Sequence, residues 1–344
     1  MSGARRTNDA AAPVPPPVPW WLRVRNPAVR AAARGLAAAA FRPGVRFSEG
    51  IGRYDRLHRH LMRLPNFGSW PGPGFGGYAP TARDVIVVTY SKSGTNLALQ
   101  TLHQIAHRGA AEFRHIHDAV PWPEGLAIGS ATLAGDDGTG AFRTVKTHLP
   151  LGDLPFPRPG EPDGRPGPAK WVYVARDPAE VFVSAYHFIR GLAFGPAMPT
   201  VESWVRTWLD GEHHFGSWAE HVAGFWPLRA RADVAFLTYR DWVNDPGAAV
   251  DRLCAFTGAT LSAGERAEVL RKSGRAWMKA HDERFRPGVS VPWGDAAAPM
   301  VRRGVSGGSG ELLSADQRDR LRAHSRDELR RLGCDLPFDD LFGP

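Results

Sequence analysis

An apolar run, Val85-Ile86-Val87-Val88, passes through Thr-Tyr-Ser-Lys-Ser-Gly-Thr-Asn and enters a helical pattern at Leu97. No other stretch limits the fold of this chain as much. A short run that is apolar throughout suits a strand buried on both faces. A loop that opens directly into a helix aims backbone N–H groups at whatever lies before the helix. Gly94 lets the backbone approach closely, while Lys92 and the hydroxyls of Ser93 and Thr95 add a cation and donors at the same spot. The segment is a cradle for a phosphate-like anion. It is not a Walker A loop, because Ser91 stands where that pattern has glycine before the lysine.

The rest of the chain repeats the alternation. Strands are expected at Val85–Thr89, Thr144–Thr147, Trp171–Ala175 and Val234–Tyr239. Helices are expected at Leu97–Ala106, at Ala179–Ile189, from Asp245-Pro246 to Gly258, and from a Ser314 N-cap to Leu332. Apolar strands alternating with helices predict an α/β fold, a single domain with a P-loop-like parallel sheet flanked by helices, over residues 46–344. Residues 1–45 read as an N-terminal extension. Residues 1–20 are Pro/Ala-rich and expected to be disordered. A short helix then runs from an Asn26 cap to Phe41 and is ended by Pro43-Gly44. With Trp20 and Trp21 in front, this helix could touch a membrane surface. Packing against the domain is favoured, because its apolar residues are mostly alanine. The Gly/Pro-rich stretches 67–80 and 155–168 read as loops. Aromatics in the first, among them Trp70, Phe75 and Tyr78, either reach toward a substrate or anchor the loop to the core.

Composition narrows the class. The chain has 344 residues, 43% of them hydrophobic, enough for one large globular domain. No run of about 18 apolar residues occurs. The two cysteines, Cys254 and Cys334, lie outside any metal-ligand spacing, so both read as free thiols in a cytoplasmic protein that needs no metal. A net charge of +8 points to an anionic partner. There is no aromatic-basic alternation, helix-turn-helix or zinc spacing to favour nucleic acid. Only five of the 43 basic residues are lysines, and two of those, Lys92 and Lys146, fall in the segments that carry chemistry. Lys146 and His148 lie two apart on an expected strand, so their side chains project to one face. His148, with its side-chain pKa near neutrality, suits a general base.

Five segments in order, spread over residues 84–335, resemble the cytosolic-type sulfotransferase family. They are the 89–97 loop; Phe-Arg-Thr-Val-Lys-Thr-His-Leu at 142–149; Trp-Val-Tyr-Val-Ala-Arg-Asp-Pro through Val-Ser-Ala-Tyr-His at 171–187; Phe-Leu-Thr-Tyr-Arg-Asp through Asn-Asp-Pro at 236–246; and Val-Arg-Arg-Gly-Val-Ser-Gly at 301–307. The resemblance implies sulfuryl transfer from 3′-phosphoadenosine 5′-phosphosulfate (PAPS), as co-substrate, to a small-molecule alcohol or phenol. Lys92, Lys146 and His148 would then be catalytic. Lys92, Ser93, Gly94, Thr95 and Asn96 would hold the 5′-phosphosulfate side of the donor. Arg176, Ser184, Arg302, Arg303 and Gly304 would surround its 3′-phosphate, with Tyr239 and Ser273 on the adenine side.

The sequence also departs from that pattern. Ser91 stands for proline, Asn96 for threonine, and Leu97 for a tryptophan that would stack on adenine. The family's dimer motif would fall at 310–319, where this chain offers Gly310, Ser314, Ala315 and Asp319 in its place. A dimer of that type is therefore not expected. Two rival readings remain: a P-loop-type kinase, which would need an intact Walker A loop, and a nucleotide-binding protein without turnover.

Overall fold

The computed structural model describes residues 20–62, 75, 78–124, 138–156, 169–211, 216–287, 289–295, 297–304 and 306–343. Four strands form one parallel sheet: β1 (Asp84–Thr89), β2 (Arg143–Thr147), β3 (Lys170–Ala175) and β4 (Val234–Thr238), in the spatial order β2-β1-β3-β4. Val87 pairs with Lys146 on one side of β1, and Val88 with Tyr173 on the other. Every residue of β1 and β4 is buried, as the unbroken apolar runs require. Side-chain alternation divides the sheet between two cores. Ile86, Val88, Val145 and Tyr173 face the helices Pro178–Ile189, Val201–Leu209 and Trp218–Phe225. Val85, Val87, Val172 and Val174 face Thr95–Ala106, Pro246–Thr257 and Ala263–Ser273.

Helix boundaries follow the capping chemistry legible in the sequence. Asp177 caps the 178–189 helix by accepting from the Glu180 N–H at 3.0 Å, and Pro178 opens it. Asp245 caps the 246–257 helix in the same way, and Gly258 closes it at φ 79°. Ser314 and Gln317 make a capping box at the start of the last long helix, Ala315–Arg331.

Two expectations fail. β4 ends at Thr238, not Tyr239: the Thr238 hydroxyl caps a new helix, Tyr239–Asn244, which swings the tyrosine ring off the sheet. At the N-terminus, Asn26 caps α1 (Pro27–Leu36) as expected, but Pro43-Gly44 does not end the helix. A π-turn over Ala37–Phe41 widens the spiral just before Pro43 and accommodates its missing N–H, so α2 (Arg42–Gly50) continues without a break. The boundary drawn at 45/46 lies inside this helix. Of the 67–80 loop, Phe75 and Tyr78–Pro80 are described; Phe75 is buried against Tyr78, an anchor to the core. Trp70, the Pro155–Pro168 loop beyond Phe156, and residues 1–19 lie outside the described residues.

Candidate active site

The C-terminal ends of the four strands meet beside a cavity of about 320 Å³. Its floor is the loop from β1 into the 95–106 helix. Lys92 and Gly94 both take positive φ, 71° and 101°. A Cβ on Gly94 would sit 2.6 Å from Cδ2 of Tyr239, so glycine is required by backbone and by contact alike. Thr95 Oγ1 lies 2.7 Å from Thr89 Oγ1, and Arg176 holds the Lys92 carbonyl at 3.1 Å. The loop is thus tied to two strands at once.

Lys92, Lys146 and His148 line this cavity together. Lys146, on β2, is buried with its Nζ 3.4 Å above the Trp122 ring and 3.4 Å from His117 Nε2. Burial pulls its pKa down to about 7, against the pull of Glu124 in the other direction. Lys92 Nζ lies 3.9 Å from the Phe188 ring. Its pKa also falls to about 7, through burial first and then through Lys146, Arg176 and Arg302.

His148 follows the last residue of β2, one step beyond the strand on which it was expected. Its Nδ1 is 2.8 Å from the Thr89 carbonyl. A carbonyl can only accept, so the proton sits on Nδ1 and Nε2 is left as a proton acceptor. Burial, and then Lys146, push the imidazole pKa well below 6.5, which keeps the ring neutral. The backbone on either side is pinned as well. Its N–H donates to Glu124 Oε1 at 2.6 Å, and its carbonyl lies 3.2 Å from Nε2 of His221, which Tyr173 holds at Nδ1.

Arg176, Ser184, Arg302, Arg303 and Gly304 line the outer part of the same cavity, with Tyr239 and Ser273. The guanidiniums there are engaged. Arg176 stacks 4.2 Å above the Tyr239 ring and pairs with Glu180 at 2.9 Å. Glu180 also accepts from Ser306 and from the Gly307 N–H, which ties the 178–189 helix to the C-terminal loop. Arg302 and Arg303 both hold Glu311, at 2.5 and 3.1 Å. Ser273 spends its hydroxyl on the Val269 carbonyl at 2.6 Å.

Within the cradle, Thr95 and Asn96 line the cavity but Ser93 does not. Ser93 is fully buried, and its hydroxyl has no hydrogen-bond partner among the described residues. Leu97 sits in the apolar wall near Trp242, Val243 and Met278. Trp277, which could have supplied a stacking surface, packs instead on His281 with ring centroids 4.1 Å apart.

Several residues here escaped the sequence reading: His117, Trp122, Glu124, Phe188, Phe285 and Met300. All but Glu124 line the cavity. A Trp between two prolines, Pro121-Trp122-Pro123, was the one local signal, and it carries no periodicity.

The sulfotransferase domain model matches residues 82–333. Sulfotransferase 2A1 of Homo sapiens is 30% identical over 227 residues, 65% of this chain and 76% of that protein. Sulfotransferase 1A1 of Rattus norvegicus is 28% identical over 307 residues, covering 86% and 97%. Among solved structures, retinol dehydratase in complex with androsterone and inactive cofactor PAP superposes with a TM-score of 0.60 at 20% identity, over 76% of this chain and 84% of that one. Mouse sulfotransferase SULT7A1 complexed with PAP gives 0.56 at 21% identity, over 75% and 89%. These structures share the fold, and the match to the domain model spans most of the sequence: the chain belongs to the sulfotransferase domain family.

Proposed function

We propose that the chain transfers a sulfuryl group from PAPS to the hydroxyl of a small-molecule alcohol or phenol. One observation carries this reading: a neutral imidazole whose Nδ1 is held by a carbonyl, beside a buried and a half-buried lysine of lowered pKa, in one cavity at the strand ends. His148 Nε2 takes the acceptor's proton as its oxygen bonds to sulfur and the sulfur–oxygen bond to the donor's phosphate breaks. Lys92 and Lys146, which regain full charge next to an anion, offset the negative charge that grows on the leaving phosphate and the sulfuryl oxygens. Trp122, Phe188, Phe285 and Met300 give the acceptor an apolar wall. Arg176, Ser184, Arg302 and Arg303 are assigned to the 3′-phosphate and Tyr239 to the adenine. The structural neighbours support the donor, since both are complexes with PAP, which is PAPS without its sulfuryl group. A cytoplasmic site of action accords with the two unpaired thiols.

The test is calorimetry with 3′-phosphoadenosine 5′-phosphate (PAP), ADP and ATP on the full chain. PAP is expected to bind at least about tenfold more tightly than ADP, the worth of one charge-assisted hydrogen bond. Tighter binding of ATP than of PAP would favour the kinase instead.

A further inference from the structure

The N-terminal helices turn the usual amphipathic arrangement round. In a soluble protein a surface helix buries its apolar stripe and shows its charges to water. Here several of the charged side chains reach back to the domain. Arg30 donates to Ser290 Oγ at 2.9 Å and to the Gly294 carbonyl at 2.8 Å, and Arg34 reaches the same carbonyl at 2.9 Å. Glu49 accepts from the Thr200 N–H at 2.7 Å. Much of what faces out beside the remaining arginines is apolar. Among the described residues seven large hydrophobic side chains are exposed, and six of them, Trp20, Val29, Leu36, Phe41, Phe47 and Ile51, belong to this one segment. Leu36 is 61% exposed and Phe47 69%. Val29, Leu36, Phe47 and Ile51 are all exposed along the one helical run, which continues past Pro43. Small residues and Pro43 fill most of the other exposed positions between them, together with Arg34 and Arg42.

We propose that this face docks the protein on an anionic lipid bilayer. The charges around it select that occupant. Arg23, Arg25, Arg42, Arg53 and Arg56 are exposed at its borders. The acids of residues 20–62, Glu49 and Asp55, are already paired with Arg46 at 2.6 Å and Arg59 at 2.7 Å. A second copy of the chain would bring guanidiniums against guanidiniums, whereas an acidic leaflet offers phosphates and carboxylates beside an apolar layer. The alanine content that argued against membrane contact in the sequence is outweighed once six bulky apolar residues of this segment prove to be exposed. The same helices contribute Arg34, Arg42 and Arg46 to a cleft that meets the active-site cavity at Phe188, Leu192 and Met300. Docking therefore brings that entrance within about one helix diameter, ~10 Å, of the headgroups.

The experiment is co-sedimentation of the full chain with vesicles of phosphatidylcholine alone and of phosphatidylcholine with about one third phosphatidylserine. The chain is expected to pellet with the mixed vesicles, and less so when salt rises from about 0.1 M to about 0.5 M. The double substitution Leu36→Glu, Phe47→Glu should lower vesicle partitioning by about tenfold or more, because it places carboxylates in the interface. It should leave PAP affinity unchanged, which also shows that the variant is folded. The proposal is overturned if the parent chain stays in the supernatant with mixed vesicles, or if the double variant pellets equally well. It is also overturned if ultracentrifugation shows a dimer that the same substitutions dissociate while neither protein binds lipid. Vesicle binding by a chain that ignores PAP would support this proposal while sinking the sulfotransferase reading.

Discussion

The two ends of the cavity hold positive charge by different means. At the inner end, burial pulls the pKa values of the buried Lys146 and the half-buried Lys92 down to about 7, so the site tolerates them by letting protons go. At the outer end, Arg176, Arg302 and Arg303 cannot lose their protons, and each rests on a carboxylate, Glu180 or Glu311. A buried lysine can wait neutral for an anion; a guanidinium must be given a substitute one. The inner end is thus tuned by pH, and the outer end by competition between ligand phosphate and protein carboxylate.

The largest effect should come from the inner end. His148→Ala is expected to lower kcat by roughly 10²–10⁴ while PAP affinity stays nearly constant. Parental turnover in that variant would remove His148 from the mechanism. Next comes the outer end. Arg176→Ala should weaken PAP by about ten- to a hundredfold, the worth of roughly 1.5–3 kcal/mol, and leave ADP almost unaffected. Equal weakening of both nucleotides would show that Arg176 does not read the 3′-phosphate.

The contrast itself is tested by pH. A bound anion raises the pKa of both lysines, so binding takes up protons once the pH exceeds their free value of about 7. PAP affinity should be flat below pH 7 and fall as pH rises past it, by about tenfold or more at pH 9. Calorimetry at pH 8 in two buffers of different ionisation heat measures the uptake directly; zero uptake would mean that the lysines are charged before the ligand arrives. The smallest effect belongs to Leu97. Base stacking on an aromatic ring is worth roughly 1–3 kcal/mol relative to alanine, and leucine already covers part of that surface. Leu97→Trp should tighten PAP by several-fold. Weaker binding by a folded variant would show a pocket shaped around the leucine.

What the sequence made legible was whatever local chemistry decides. The β-strands are continuous apolar runs, and Asp177, Asp245 and Ser314 announce helix starts, so the parallel sheet followed from residues alone. Lys92, Lys146 and His148 lie next to those strand ends and were legible with them. Glu124 and His117 were not, because they arrive on a segment that folds back on β2, where Lys146 N–H donates to the Pro121 carbonyl at 2.8 Å. Long-range contacts of that kind leave no period in the chain. Ser93 shows a different limit: its hydroxyl fits the chemistry of an anion loop, and its burial beside Lys92 and Gly94 follows from a backbone turn that composition does not reveal. Tyr239 was assigned to a strand because its neighbours are apolar, and a threonine cap outweighed them.

The contact between Gly94 and Tyr239 makes the two positions unequal in what they tolerate. The ring lies where a side chain at 94 would be, so an aromatic at 239 requires glycine at 94. The reverse does not hold: at φ 101° the backbone demands glycine whether or not the ring is present. A smaller residue at 239 would remove the clash but leave the backbone strain, so no substitution there rescues a side chain at 94.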